Sequence, residues 1–120
     1  DVYLVDTYGE TKKFFEISKI AFIGGSFVKH GGQNPIEPAR FKLNILHGPN
    51  IENFKDIYRL FNQKKISYKV NSLNKLTYMT KKLLTKRNKK NFDIKKIGNP
   101  ILKRSIIEIK DILNNEIKKT

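Results

Sequence analysis

The 120 residues contain no cysteine and no tryptophan, one methionine and two histidines. Without cysteine there is no disulfide framework, no zinc ribbon and no thiol nucleophile. His30 and His47 lie far apart and have no third imidazole beside them, so a histidine-based metal site is not expected. Long apolar runs are also missing: none approaches the ~20 residues of a membrane-spanning helix, and no secretory leader is visible. The first residues, DVYLVD, lack an initiator methionine and already lie in a strand-like run, so the chain is expected to be a piece of a longer protein.

Acidic residues are scarce in one half only. Residues 1–60 carry 8 Lys/Arg against 7 Asp/Glu, a balance of +1, whereas residues 61–120 carry 17 against 4, a balance of +13. Such asymmetry points to an anionic partner, or to lysine-rich solvated helix faces. A nucleic-acid surface would interleave aromatic rings with the basic residues for base stacking. Between Lys81 and Thr120 only Phe92 is aromatic, which argues against nucleic acid.

Hydrophobic periodicity gives the elements. VYLV (residues 2–5) reads as a strand, and GETKKFFEIS as a short helix turning Phe14, Phe15 and Ile17 inward. IAFIGG is continuously apolar, as a parallel strand buried on both faces would be. NPIEPARFK is a brief helix, and LNILHGP is a strand ended by Gly48-Pro49. Phe54, Ile57, Tyr58 and Phe61 then fall at helical spacing, ISYKV reads as a fourth strand, and Leu73, Leu76, Met79 and Leu83 mark a helix capped by Asn71 or Ser72. TKRNKKNFDIKKIGNP has little periodicity and reads as a basic loop or frayed helix end. A last helix from Ile101 aligns Leu102, Ile106, Ile109, Leu113 and Ile117. Strands alternating with helices predict an α/β fold: a Rossmann-like parallel sheet of about four strands with helices on both faces, in a single domain over residues 1–120.

In such sheets ligands bind where the strands end. Three segments, DTYGE, GGSFVKHGGQNPIE and HGPNIENF, are each expected to follow a strand and precede a helix, which sets them on one edge. Thr7-Tyr8-Gly9-Glu10 fits a capping box. Asn34-Pro35-Ile36-Glu37 fits Asn at the N-cap, Pro at N1 and Glu at N3. Capping accounts for Glu10 and Glu37 but not for the paired glycines, nor for a connection longer than the usual ~4–6 residues. A carboxylate among phosphate-binding amides suits a ribose diol or a base amino group, so a nucleotide or nucleotide-sugar site is indicated. No G-x-G-x-x-G or P-loop pattern is present.

In order and spacing, DTYGE, AFIGGSFVKHGGQNPIEPA and GPNIENF resemble the C-terminal half of the Kdo transferases. Those enzymes move 3-deoxy-D-manno-octulosonic acid (Kdo) from CMP-Kdo onto the lipid A precursor in lipopolysaccharide synthesis. The resemblance is strong from about Val2 to Phe61 and general afterwards. It implies the C-terminal, donor-nucleotide-binding part of a two-domain GT-B glycosyltransferase, metal-independent and without a cofactor. The catalytic base and the acceptor site would then lie in an N-terminal domain, and the full enzyme would work at the cytoplasmic face of the inner membrane, against an anionic lipid surface. By the same resemblance the CMP contacts fall on Tyr8, Gly9 and Glu10 and on Asn34, Pro35, Ile36 and Glu37, with Gly31, Gly32, Gln33 and Ser26 as secondary candidates. The family's usual GGHN reads Gly31-Gly32-Gln33-Asn34 here, and Gln33 cannot become cationic. Asn53 and Phe54 match the family's GP…NF pattern. A GT-B enzyme using another nucleotide sugar, and a basic nucleic-acid-binding module, remain the alternative readings.

Overall fold

The structure, a computed structural model, describes residues 2–86 and 92–119. At its centre β1 (Ile20–Phe22), β2 (Asn44–His47) and β3 (Ser67–Lys69) lie side by side in chain order, all parallel. Parallel neighbours need crossovers. The first carries α2 (Ile36–Arg40), and the second carries a 3-10 turn (Glu52–Phe54) followed by α3 (Lys55–Gln63). Helix α1 (Thr11–Ile17) precedes the sheet, and α4 (Leu73–Leu84) and α5 (Ile94–Lys119) follow it.

β2 is the central strand and is buried along its whole length. Successive side chains of a strand point to opposite faces, so Ile45 and Leu46 seed two separate cores. Ile45 packs with Ile23, Ala39, Tyr58, Phe61 and Ile66, a cluster covered by α2, α3 and the first turns of α5 through Ile94 and Ile97. Leu46 packs with Val70, Met79 and Leu83 beneath α4. Each large apolar side chain removed from water in this way contributes about 1.5–3 kcal/mol. The parallel sheet with helices on both faces is therefore as expected. α4 also has its expected start, the Ser72 hydroxyl accepting from Lys75 N at 3.1 Å.

Four expectations need correction. The sheet has three strands among the described residues rather than about four, because residues 2–5 pair with nothing and Val2, Tyr3 and Leu4 stand exposed. β-forming residues make a strand only where a neighbouring strand and a burying face accept them. β1 is consequently an edge strand, with Phe22 exposed rather than buried. Ile17 and Leu73 are exposed too, the first ending α1 and the second opening α4. Finally, α5 starts at Ile94 instead of Ile101: Asp93 Oδ1 accepts from Lys95 N at 2.9 Å, and the helix runs on through Gly98 and Pro100. Residues 87–91 of the expected basic loop lie outside the described residues, as does the side chain of Leu102. Beyond Pro100 the apolar stripe Ile106, Ile109, Leu113 and Ile117 is exposed.

Candidate ligand site at the strand ends

Two loops leave the carboxyl ends of neighbouring strands, Gly24–Asn34 from β1 and Gly48–Ile51 from β2, and hydrogen bonds join them at two levels. Close to the sheet, the fully buried Ser26 hydroxyl donates to Ile23 O (2.6 Å) and accepts from Gly48 N (2.8 Å). The carbonyl of Ser26 accepts from Asn50 N (2.9 Å) and from Asn50 Nδ2 (3.3 Å). The backbones approach so closely that a Cβ on Gly48 would run into the Ser26 backbone. Ser26 therefore joins the loops, with its hydroxyl committed to the backbone.

Farther out, Asn53 N donates to Gly31 O at 3.2 Å, and Asn53 Nδ2 donates to His30 O at 3.2 Å and Gly32 O at 3.5 Å. The hydroxyl of Tyr58, on α3, donates to Gln33 O at 2.7 Å. Burial pushes the Tyr58 phenol well above its ordinary pKa, so it remains protonated and donating. Gly31 has φ +85°, and a Cβ there would lie 2.5 Å from the Asn53 side chain. His47 stays structural: it is buried, Nδ1 lies 2.7 Å from Gly48 O, Nε2 lies 3.1 Å from Asn62 Oδ1, and its ring sits against Tyr58.

The expected cap is present where the loop enters α2. Asn34 Oδ1 accepts from Ile36 N at 2.9 Å, and Pro35 already has near-helical dihedrals of φ −85° and ψ −5°. The regular helix begins at Ile36 and places Glu37 in its first turn, exposed. Among the described residues the Glu37 carboxylate has no hydrogen bond or ion pair. Capping is thus done by Asn34 alone, and Glu37 is left free to accept.

Tyr8, Gly9 and Glu10 are arranged differently. α1 starts at Thr11, and Gly9 at φ +87° breaks helical geometry just before it, so no capping box forms. Thr7 Oγ1 instead donates to Glu10 Oε2 at 2.6 Å. Tyr8 is fully exposed. Because residues 2–5 form no strand, this loop does not follow one, and among the described residues no hydrogen bond, ion pair or ring contact links it to Gly24–Glu37. α1 is attached elsewhere, through Phe15 against Phe41 with ring centroids 5.7 Å apart.

The structure thus brings Ser26, Gly31, Gly32, Gln33, Asn34, Pro35, Ile36 and Glu37 into one braced segment, to which Tyr8, Gly9 and Glu10 are not bonded among the described residues. It adds a small polar hollow of about 450 Å³ between the two loops, lined by Lys29, His30, Gly31, Asn50, Glu52 and Asn53. Apart from Gly31 these residues were not read as site residues, although Lys29 and His30 lie between the glycine pairs. A larger cleft of about 1070 Å³ is lined by residues of α2, α3 and the start of α5, among them Ile36, Ile57, Leu60, Ile94 and Ile97. That cleft is mainly apolar and belongs to the seat of α5.

No protein-family model matches the chain. Individual proteins do. A 3-deoxy-D-manno-octulosonic acid transferase of Haemophilus influenzae is 45% identical over 71 residues, which is 59% of this chain and 17% of that protein. The transferase of the same name from Rickettsia bellii is 41% identical over 88 residues, 73% of this chain and 21% of that one. Among solved structures, the C-terminal CMP-Kdo binding domain of WaaA from Acinetobacter baumannii superposes with a TM-score of 0.65 and 26% identity, over 68% of this chain and 43% of that one. The chain belongs to the Kdo transferase family. It spans about a fifth of the length of the curated Kdo transferases it matches. Its sheet and flanking helices correspond to the family's C-terminal domain, and the braced loop lies at the strand ends of that domain.

Proposed function

We propose that this chain forms the donor side of a GT-B glycosyltransferase that moves Kdo from CMP-Kdo to a lipid A precursor. One observation carries the reading: the loop with the family's glycine-asparagine-glutamate sequence is bound down along its length, yet its Glu37 carboxylate is exposed and unpaired among the described residues. An exposed carboxylate beside a fixed turn suits the ribose hydroxyls of CMP. Asn34 caps the turn, Gly31, Gly32 and Gln33 shape its approach, and Tyr8, Gly9 and Glu10 close the site from the second segment. The catalytic base and the acceptor pocket would come from an N-terminal domain, so these 120 residues alone should not transfer Kdo. The test is calorimetric titration of the complete gene product with CMP and UMP, together with Kdo transfer from CMP-Kdo to a tetra-acylated lipid A precursor. CMP binding no tighter than UMP binding, with no transfer, overturns the reading.

The acceptor and its membrane enter through the basic half of the chain. Lys96, Lys103 and Lys110 recur every seven residues along α5, so they form one exposed row beside the apolar stripe of that helix. Each lysine near an anionic lipid surface contributes about 1 kcal/mol. Equal binding to neutral and anionic vesicles would remove the membrane role of α5.

A further inference from the structure

We propose that Asn53 and Tyr58 are positioning residues for the donor, gripping the loop by four consecutive carbonyls and so setting which way its amides face. The inference rests on the donor-site reading above. The carbonyls in question are those of His30, Gly31, Gly32 and Gln33. Asn53 takes the first three, through its side-chain amide (3.2 and 3.5 Å) and its own N–H (3.2 Å), and Tyr58 takes the fourth at 2.7 Å. Asn53 lies in the 3-10 turn and Tyr58 in α3, which follows it directly, so one continuous stretch of chain holds all four carbonyls.

The consequence follows from peptide geometry. In a trans peptide the C=O and the next N–H point in opposite directions. Holding the carbonyls of residues 30–33 on the side of the 3-10 turn and α3 therefore sends the N–H groups of residues 31–34 to the other side. The Gly32 N–H is used within the loop, donating to Gly25 O at 3.1 Å. Among the described residues the N–H groups of Gly31, Gln33 and Asn34 make no hydrogen bond. The three unbonded N–H groups flank the left-handed Gly31 and Gly32, at φ +85° and +74°, and as donors on one side of the turn they suit an anionic oxygen. The ligand chemistry that fits is a nucleotide phosphate, lying on the amide side while Glu37 accepts from the sugar hydroxyls.

The grip also accounts for the fit of this loop to its neighbour. Gly31 has no room for a side chain because the Asn53 amide occupies the space. A Cβ at Gly32 would come within 3.1 Å of Asn50 O. Packing alone would place Tyr58 in the core, where its ring belongs. Its hydroxyl is satisfied only because Gln33 O is presented to it.

The experiment compares the complete gene product as wild type, Asn53→Asp and Tyr58→Phe. Asp keeps the shape of Asn but exchanges the donating amide for a carboxylate that repels the carbonyls of His30 and Gly32. The expected result is a rise of about tenfold or more in the KM for CMP-Kdo and in the Kd for CMP. The KM for the lipid acceptor and kcat at saturating donor should stay at the wild-type level. Tyr58→Phe, which keeps the buried ring, should raise the donor KM about threefold to tenfold. In wild type, CMP should shift the amide resonances of Gly31, Gln33 and Asn34, and in Asn53→Asp those shifts should be lost. Should Asn53→Asp fail to fold, Tyr58→Phe decides alone. Lower melting temperatures with donor KM and CMP Kd unchanged would overturn the positioning role and leave the donor-site reading standing. A wild-type protein that neither binds CMP nor uses CMP-Kdo would overturn both.

Discussion

The two segments proposed above to form the donor site are built in opposite ways. Gly24–Asn34 is fastened at Ser26, Gly25, Gly31, Gln33 and Asn34 by partners in its own turn, the next loop and α3. Thr7–Glu10 has a side-chain hydrogen bond within itself and backbone bonds from Lys13 and Phe14 to the Glu10 carbonyl, and it leads into a helix with no buried residue. A preformed loop binds without an ordering cost, whereas a loose one must be ordered when the ligand arrives. The contrast assigns different work to the two segments. Under the donor-site proposal, the first would determine where the nucleotide lies, and the second would close over it at some entropic cost.

The strongest way to break this contrast is Gly48→Ala. Its methyl group would meet the Ser26 backbone, and neither loop can yield without losing the Ser26 hydrogen bonds. Overpacking of this kind costs about 1–3 kcal/mol, and the buried hydroxyl of Ser26 would lose a partner as well. Urea unfolding should show that loss, and CMP affinity should fall with it.

Next in size come the two ends of the capped turn. Glu37→Ala should weaken CMP binding by about tenfold to a hundredfold, the loss of one hydrogen bond to a charged group. The melting temperature should not move, because the Glu37 carboxylate has no partner among the described residues. Asn34→Ala should weaken binding and also destabilise by about 1 kcal/mol through the lost cap to Ile36 N. A melting temperature lowered by Glu37→Ala with CMP affinity intact would make Glu37 a cap and nothing more.

Much of the braced half was legible from sequence. β2 was read from a short apolar run closed by Gly48-Pro49, and α3 from its apolar spacing, because both signals are local and burial acts on them directly. The cap at Asn34 was legible for the same reason. The grip on the loop was not: Asn53 and Tyr58 lie 21 and 25 residues from the carbonyls of Gly32 and Gln33 that they hold, and no local pattern reveals such a bond. Tyr58 was read as one residue of an apolar stripe, which it also is. The peripheral segments misled in the opposite direction. Residues 2–5 have strand composition without a strand to pair with. The start of α5 was hidden by Lys95 and Lys96 between Ile94 and Ile97, and by Gly98 and Pro100, which ordinarily signal a helix end.

Gly9→Ala sharpens the comparison with Gly48. Gly9 is also at positive φ, but a Cβ there meets nothing within 4 Å. Only the left-handed backbone is penalised, by about 1 kcal/mol, and the penalty falls on a segment with little tertiary contact. Thermal unfolding of the core should therefore change less than for Gly48→Ala. The donor KM should rise, because Tyr8 and Glu10 would no longer share the turn that Gly9 allows.

The smallest expected effect is that of Thr7→Val, and it asks most directly what the loose segment does. The Thr7 hydroxyl donates to the Glu10 carboxylate in an exposed loop that touches no core cluster. Removing it should change stability by no more than about 0.5 kcal/mol, the usual range for surface positions. Free Glu10 would sample more rotamers, and the donor would have to order it. That places the effect in the donor KM, with a rise of about twofold for a loss near 0.5 kcal/mol. The Kd for CMP and the KM for CMP-Kdo should move together, and kcat should not change. If Thr7→Val, Gly9→Ala and Glu10→Ala all leave both constants untouched, the loose segment takes no part in donor binding, and Gly31–Glu37 carries the nucleotide alone.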